Sequence, residues 1–204
     1  MYKISPGKEL ILGSASPRRK RMLAGIGLEF TVKPIDIEEE INPRRSLAQE
    51  AQRLAILKAM AFGDMKPGQV LLTADTLVGI NGRILGKPES TRQAEQMIAM
   101  LAGNTHQVAT GFCLQGLEHD GDNWMESGYQ LTQVTFRALS AAEIKAYVAS
   151  NESMDKAGAY GIQKKGASLV ESINGSFHNV VGLPLAKVLE KLLIYKVIEP
   201  GSIS

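Results

Sequence analysis

Ser14-Ala-Ser-Pro-Arg-Arg19, preceded by the apolar run Leu10-Ile-Leu12 and followed by Lys20-Arg-Met-Leu-Ala24, decides how this chain is read. Three apolar residues in a row predict a short buried strand. Pro17 cannot sit inside a central strand but suits the first turn of a helix, where its missing N–H is no loss. Ser16 is then the N-cap, and Arg18, Arg19, Lys20 and Arg21 crowd the first turn. A helix N-terminus carries about half a positive charge, so each cation there costs about 0.3–1 kcal/mol unless an anion arrives. Strand, small-residue turn, backbone N–H groups and clustered guanidinium groups together describe a phosphate site. The alternative is a solvated basic face that falls at a helix start.

Composition narrows the classes. A chain of 204 residues, 44% hydrophobic and 22% charged, can bury a sizeable core and is ordinary for a globular protein. Lys+Arg 23 against Asp+Glu 21 leaves only +2, too little for a field directed at nucleic acid, so no nucleic-acid partner is expected. Cys113 is the single cysteine, which excludes internal disulfides and Cys-based zinc sites; in Gly111-Phe-Cys-Leu114 it reads as a small buried hydrophobe. No apolar run approaches the ~18–20 residues of a membrane span, and Met1 to Glu9 lacks the apolar core of a signal peptide. A cytoplasmic location with no membrane partner is the expectation.

Gln69 to Ile80 is apolar on both sides and so predicts a central strand, with a single carboxylate, Asp75, in its middle. An unpaired buried carboxylate costs several kcal/mol, so Asp75 needs a cation, hydrogen bonds or a cleft; catalysis or metal binding stands beside a structural role. Asn81-Gly82 predicts a type I′ turn into Arg83–Gly86. Leu28 to Val32 alternates as a strand, and Asp36, Glu38, Glu39 and Glu40 form an acidic loop, either solvated or with one carboxylate turned inward to a metal or water. Helices are predicted over Ser46–Phe62, which carries Arg53 and Lys58, over Ser90–Leu101, from Ser140 to about Ala149, and from Leu183 to Leu193 with Pro184 in its first turn. Thr105–Leu117 and Met125–Ala138 read as two long strands joined by a hydrophilic turn, with Trp124 partly exposed, and Ser168–Ile173 as another strand. Asp155 to Gln163 is glycine-rich without a standard phosphate-loop spacing. His106 and His178 lack metal-ligand spacing and read as structural. No linker or repeat divides the chain.

Ser14-x-Ser-Pro-Arg-Arg19, Ala74-Asp-Thr76, Gly86-Lys-Pro88, Asp155-Lys-Ala-Gly-Ala-Tyr-Gly-Ile-Gln163 and Val181-Gly-Leu-Pro184 follow one another as they do in the Maf family, which the chain resembles from about Leu10 to Leu193. That family comprises nucleoside triphosphate pyrophosphatases, also described as septum-formation inhibitors. Ala74-Asp-Thr76 and the Ala-Gly-Ala-Tyr-Gly-Ile-Gln segment resemble its dTTP/UTP-specific branch; the 7-methyl-GTP branch usually has Ser-Asp-Gln at the first place. Two departures are visible: Lys164 stands where relatives commonly have Gly after Ile-Gln, and Ala102 where many have Ser.

The resemblance implies one domain with an α/β fold, a long, strongly bent mixed β-sheet flanked by helices, in two lobes around a deep cleft. It implies hydrolysis between the α and β phosphates with a divalent metal cation, Mg, Mn or Co. By position, Asp75 would be general base and metal contact, with Glu39 the second metal-side carboxylate. Ser14, Arg18, Arg19 and Lys87 would hold the triphosphate, Lys87, Glu39 and Lys58 would complete the catalytic set, and Arg18, Thr76 and Gln163 match positions linked to substrate choice. A small-molecule nucleoside triphosphate is then the partner, and a homodimer is left open. Regular alternation sends Thr76 to the strand face opposite Asp75, so its role needs a bulge or an effect on packing. The rival function is a nucleotide-sensing regulator of cell division with little turnover; a 7-methyl-GTP pyrophosphatase is the rival specificity.

Overall fold

A computed structural model describes residues 2–38, 40–42 and 44–201. Its main sheet is mixed. Strands β2 (Glu9–Leu12), β3 (Thr31–Val32) and β4 (Gln69–Ile80) run parallel, while β5 (Arg83–Leu85), β6 (Thr105–Leu117), β7 (Asn123–Phe136) and β8 (Val170–Asn174) pair antiparallel. The order is β3-β2-β4-β6-β7-β8, with β5 added to the far end of β4. β1 (Tyr2–Ile4) and β9 (Ile198–Pro200) form a separate antiparallel ribbon. Helices α1 (Pro17–Gly25), α2 (Leu47–Met60), α3 (Thr91–Leu101), α4 (Ala141–Val148), α5 (Phe177–Val181) and α6 (Leu185–Ile194) flank the sheet. The expected mixed sheet flanked by helices is what forms.

Local chemistry sets most boundaries. Ser16, Ser46, Ser90 and Ser140 cap α1 to α4, and the boxes at Ser46–Gln49 and Ser140–Glu143 are complete. Asn81 and Gly82, at φ +50° and +74°, make the predicted hairpin turn. Two readings shift, and two elements went unread. The strand predicted over residues 28–32 is only Thr31–Val32, because only these residues meet the end of β2. Pro184 is the N-cap of the last helix rather than a residue of its first turn, and α5 and the β1–β9 ribbon carry no period long enough to read from sequence.

The alternation of β4 sorts the packing. Leu71, Thr73, Asp75 and Leu77 face α2, where Ile11, Ala51, Leu54, Ala55, Ala59, Ala109 and Cys113 complete the layer. Val70, Leu72 and Ala74 face the other way, against Leu23 of α1 and Val188 and Leu192 of α6. Val78 and Ile80 continue that face against Ile98 and Leu101 of α3 and Tyr147 and Val148 of α4. Trp124 is half-buried and stacks on Tyr195, with ring centroids 4.1 Å apart. Cys113 is buried, and that burial pushes its thiol up to about 12, as expected of an inert core residue.

Gly111 is paired with Asp75 across the β4–β6 ladder, and α2 crosses directly over it. A Cβ there would lie 2.3 Å from the backbone of Ala51. Gly111→Ala is expected to destabilise the protein by at least about 1–3 kcal/mol through overpacking against backbone that cannot yield. Urea unfolding measures it, with Gly25→Ala, which meets nothing within 4 Å, as the neutral control.

Candidate active site

The site grows from a mismatch in strand length. β2 ends at Leu12, opposite Leu72, and β5 pairs with β4 only from Val78 onward. Between these points one edge of β4 has no neighbouring strand among the described residues. The chain leaving β2 turns through Gly13–Ser16 into α1, so its small residues and the α1 N-terminus stand beside that open edge. A cavity of about 620 Å³ lies there, closed on its far sides by residues 155–164 and 180–182. An opening at the ends of parallel strands, where neighbouring connections diverge, is the usual place for a ligand in an α/β sheet.

This geometry accounts for Thr76. The β4–β6 register is unbroken through Asp75 and Thr76, so the two side chains do point to opposite faces. Both line the cavity because it wraps around the strand's open edge, and no bulge is needed. Asp75 is 6% exposed and is ion-paired with Nζ of Lys58, itself nearly buried on α2. The pair compensates the desolvation that either charge alone would suffer.

Arg19 is tied into the frame. Its guanidinium donates to Gly182 O at 2.8 Å, Ser14 Oγ at 2.9 Å and Thr76 Oγ1 at 3.2 Å. Thr76 Oγ1 lies 2.9 Å from Thr110 Oγ1, and the Thr110 backbone N–H donates to Oδ1 of Asn179 at 3.1 Å. Asn179 is fully buried and bonds to both β6 and β7, so α5 is stitched to the sheet behind the site. Arg18 instead reaches across the cavity to Asp155 Oδ2 at 3.3 Å, and that carboxylate is largely exposed. Against the rise that burial would bring, Lys156 and then Arg18 hold the Asp155 carboxyl below its usual value.

Charge around the cavity is unbalanced. Among the described residues Arg18, Arg19, Arg21, Lys58, Lys87, Lys156 and Lys164 line it against Asp36, Asp75, Glu152 and Asp155. In a chain with net charge +2 this concentrates cations at one opening, which suits a multiply charged anion. The same lining offers hard oxygen donors, Asp75, Asp36 and Ser14, and no thiol or imidazole. No group of three His, Cys, Asp or Glu among the described residues is placed to hold a metal by itself.

The family model described as Maf-like protein matches residues 9–194. The chain belongs to the Maf-like family. It is 45% identical to the dTTP/UTP pyrophosphatase of Moorella thermoacetica over 93% of this chain and 96% of that one. It is 43% identical to the dTTP/UTP pyrophosphatase of Bacillus pumilus, over 90% and 95%. The Yersinia pestis dTTP/UTP pyrophosphatase is 45% identical, over 90% and 91%. A solved nucleoside-triphosphatase / dITP/XTP pyrophosphatase from Mycobacterium abscessus overlays 92% of this chain and 95% of that one. At 12% identity and a TM-score of 0.41 it adds nothing to the assignment.

In this Maf-like chain the structure brings Ser14, Arg18, Arg19, Lys58, Asp75, Thr76, Lys87 and Gln163 to one cavity. Glu39 lies outside the described residues. Sequence reading missed Glu50, which is fully buried at the start of α2. Its carboxylate accepts from Arg53 at 2.6 and 3.0 Å and from the Asn42 N–H at 2.9 Å, and Arg53 also donates to Glu40 O at 2.5 Å. Burial would raise the Glu50 carboxyl; Arg53, the Asn42 amide and Arg45 hold it below its usual value. Glu50 therefore fastens the acidic loop to α2. A charged residue three before Arg53 was the only available signal. Also missed was the environment of His106, whose burial lowers its imidazole to about 4, so that it is neutral at physiological pH.

Adjacent arginines thus have different stability costs. Arg18→Ala is expected to leave the melting temperature of the ligand-free protein within about a degree, since an exposed pair contributes about 0–1 kcal/mol. Arg19→Ala is expected to lower it by several degrees, having lost three bonds that tie α1, β4 and the α5–α6 turn together. Equal melting temperatures in a thermal scan would refute this division.

Proposed function

We propose that this Maf-like protein hydrolyses dTTP and UTP between the α and β phosphates, releasing the nucleoside monophosphate and pyrophosphate with the help of a divalent metal ion. The observation that carries this reading is the cation-lined cavity with one nearly buried carboxylate on the open edge of the central strand. The names of the relatives support the same reaction and the same pair of nucleotides.

A nucleoside triphosphate brings about four negative charges, which Arg18, Arg19 and Lys87 would neutralise by charge-assisted hydrogen bonds. The oxygen of water attacks the α-phosphorus, the bond to the α–β bridging oxygen breaks, and pyrophosphate leaves with that oxygen. Asp75 receives the proton of the attacking water, and its place on a rigid strand fixes the line of attack. Cations aimed at the β and γ phosphates stabilise the charge that moves onto the leaving group. Lys58 stays beside Asp75 and holds its carboxylate against the α2 face. The donor chemistry fits Mg²⁺ or a similar ion, which binds through one or two carboxylates together with substrate phosphate oxygens. Asp75, with Glu39 as the second expected carboxylate, would hold it, and the ion when bound supplies Lewis-acid stabilisation of the phosphoryl oxygens. At the base, the Gln163 amide offers a donor and an acceptor to match the N3–H and carbonyl edge shared by uracil and thymine.

Pyrophosphate release from a panel of nucleoside triphosphates with Mg²⁺, Mn²⁺ and Co²⁺ tests the proposal. dTTP and UTP are expected to be turned over best, CTP less, and ATP, GTP and 7-methyl-GTP poorly. Preference for 7-methyl-GTP would overturn the base assignment alone; binding without turnover would favour a nucleotide sensor. Asp75→Asn is expected to lower kcat by about 10²–10⁴ with nucleotide affinity retained. Near-normal kcat in that variant would remove Asp75 from the chemical step. Arg18→Ala is expected to weaken triphosphate binding by about 1.5–3 kcal/mol, read by calorimetry.

A further inference from the structure

Residues 158–164, which carry Gln163 to the cavity, hold a backbone that they would not choose alone. Gly158, Ala159 and Lys164 are all left-handed, at φ +66°, +62° and +55°. Gly158 is obliged to be glycine, because a Cβ would come within 2.9 Å of Val78. Ala159 and Lys164 have no such licence, and left-handed non-glycine residues persist only where surrounding contacts over-determine them. The contacts can be named. Gly158 N–H donates to Gly86 O at 3.0 Å, and Gly161 N–H donates to Tyr147 Oη at 3.3 Å. Between them the Tyr160 ring is buried edge-on to Phe136 and His106, with its hydroxyl 2.7 Å from His106 Nε2.

His106 is odd as a core residue. It is 1% exposed, and its Nδ1 has no hydrogen-bond partner among the described residues. A buried, unpaired nitrogen costs stability, so a purely space-filling role would be better met by an apolar ring. What the imidazole offers beyond volume is one polar anchor, and that anchor is spent on Tyr160.

We propose that His106 is a positioning residue for base selection: its hydrogen bond to Tyr160 holds residues 158–164 in the shape that keeps Gln163 at the cavity wall. This rests on the reading of the cavity as a pyrimidine nucleotide site. His106 is not among the residues lining the cavity; it acts through Tyr160, which is. Because Lys164 is left-handed without being glycine, the segment depends more on such an anchor than a glycine-bearing one would.

Three variants test it. His106→Phe and Tyr160→Phe each remove the bond and keep a ring in place, whereas His106→Gln keeps a polar group within reach of Tyr160. The two phenylalanine variants are expected to raise KM for dTTP about tenfold, to keep kcat within about threefold, and to shrink the dTTP-over-CTP ratio of kcat/KM by about tenfold. His106→Gln is expected to recover most of that ratio. Amide hydrogen exchange in the ligand-free protein should speed up at 158–164 in His106→Phe and stay slow at 69–80. A lowered melting temperature with an unchanged selectivity ratio would make the pair merely structural and overturn the proposal; so would unchanged exchange. Should His106→Phe fail to fold, Tyr160→Phe decides by the same ratio. A wild type that turns over neither dTTP nor UTP sinks the pyrimidine reading, and exchange then still decides whether His106 holds the segment.

Discussion

A carboxylate in the middle of a central strand is the constraint from which the rest of this structure follows. Asp75 cannot be left without compensation at 6% exposure, and Lys58 reaches it from α2. For that reach α2 must lie close over β4 and β6. The sequence supplies what close approach needs: Ala51, Ala55 and Ala59 on the helix, Gly111 beside Asp75 on the sheet, and the Thr73 hydroxyl donating to Ala55 O at 2.6 Å. Glu50, one turn from the helix start, extends the same fastening to the acidic loop. A single helix thus supports the strand that carries Asp75 and the acidic loop beside it.

The opening is the complement of that support. Among the described residues, one edge of β4 is without a partner strand where β2 has ended and β5 has not begun, so both faces of the strand communicate with one cavity. That is how Asp75 and Thr76, adjacent and oppositely directed, serve the same space. Asp75 faces the ion-paired side under α2, while Thr76 joins the hydrogen-bonded chain from Arg19 to Thr110.

Much of this was legible in the sequence because the signals are local. Serine caps, the Asn81-Gly82 turn and the apolar length of β4 need no tertiary information, and they gave α1 to α4 and β4 to β7 nearly to the residue. The strand–turn–arginine stretch and Asp75 likewise pointed to residues that line the cavity. What stayed illegible depends on partners far apart in the chain. α5 is too short to show a period and is held by Asn179 bonding to Val108 O and Thr132 Oγ1. β1 and β9 have three residues each and exist only because the two ends of the chain meet. His106 read as structural from its spacing, and its pairing with Tyr160 across 54 positions could not be inferred from either residue.

The arginine pair shows where a sequence argument about charge has to be divided. Clustered cations at a helix N-terminus suggested that both residues wait for an anion. The structure gives Arg19 acceptors on three different parts of the frame, Gly182 O, Ser14 Oγ and Thr76 Oγ1, which hold its guanidinium in place. Arg18 has an exposed carboxylate, Asp155, which a phosphate group can replace at little cost because a solvated pair is weak. Arg19 is therefore a fixed part of the cavity wall, and Arg18 makes an exchangeable contact across it. The Arg18–Asp155 pair also joins the start of α1 to the start of the 155–164 segment, so the two sides of the cavity meet at an exposed contact.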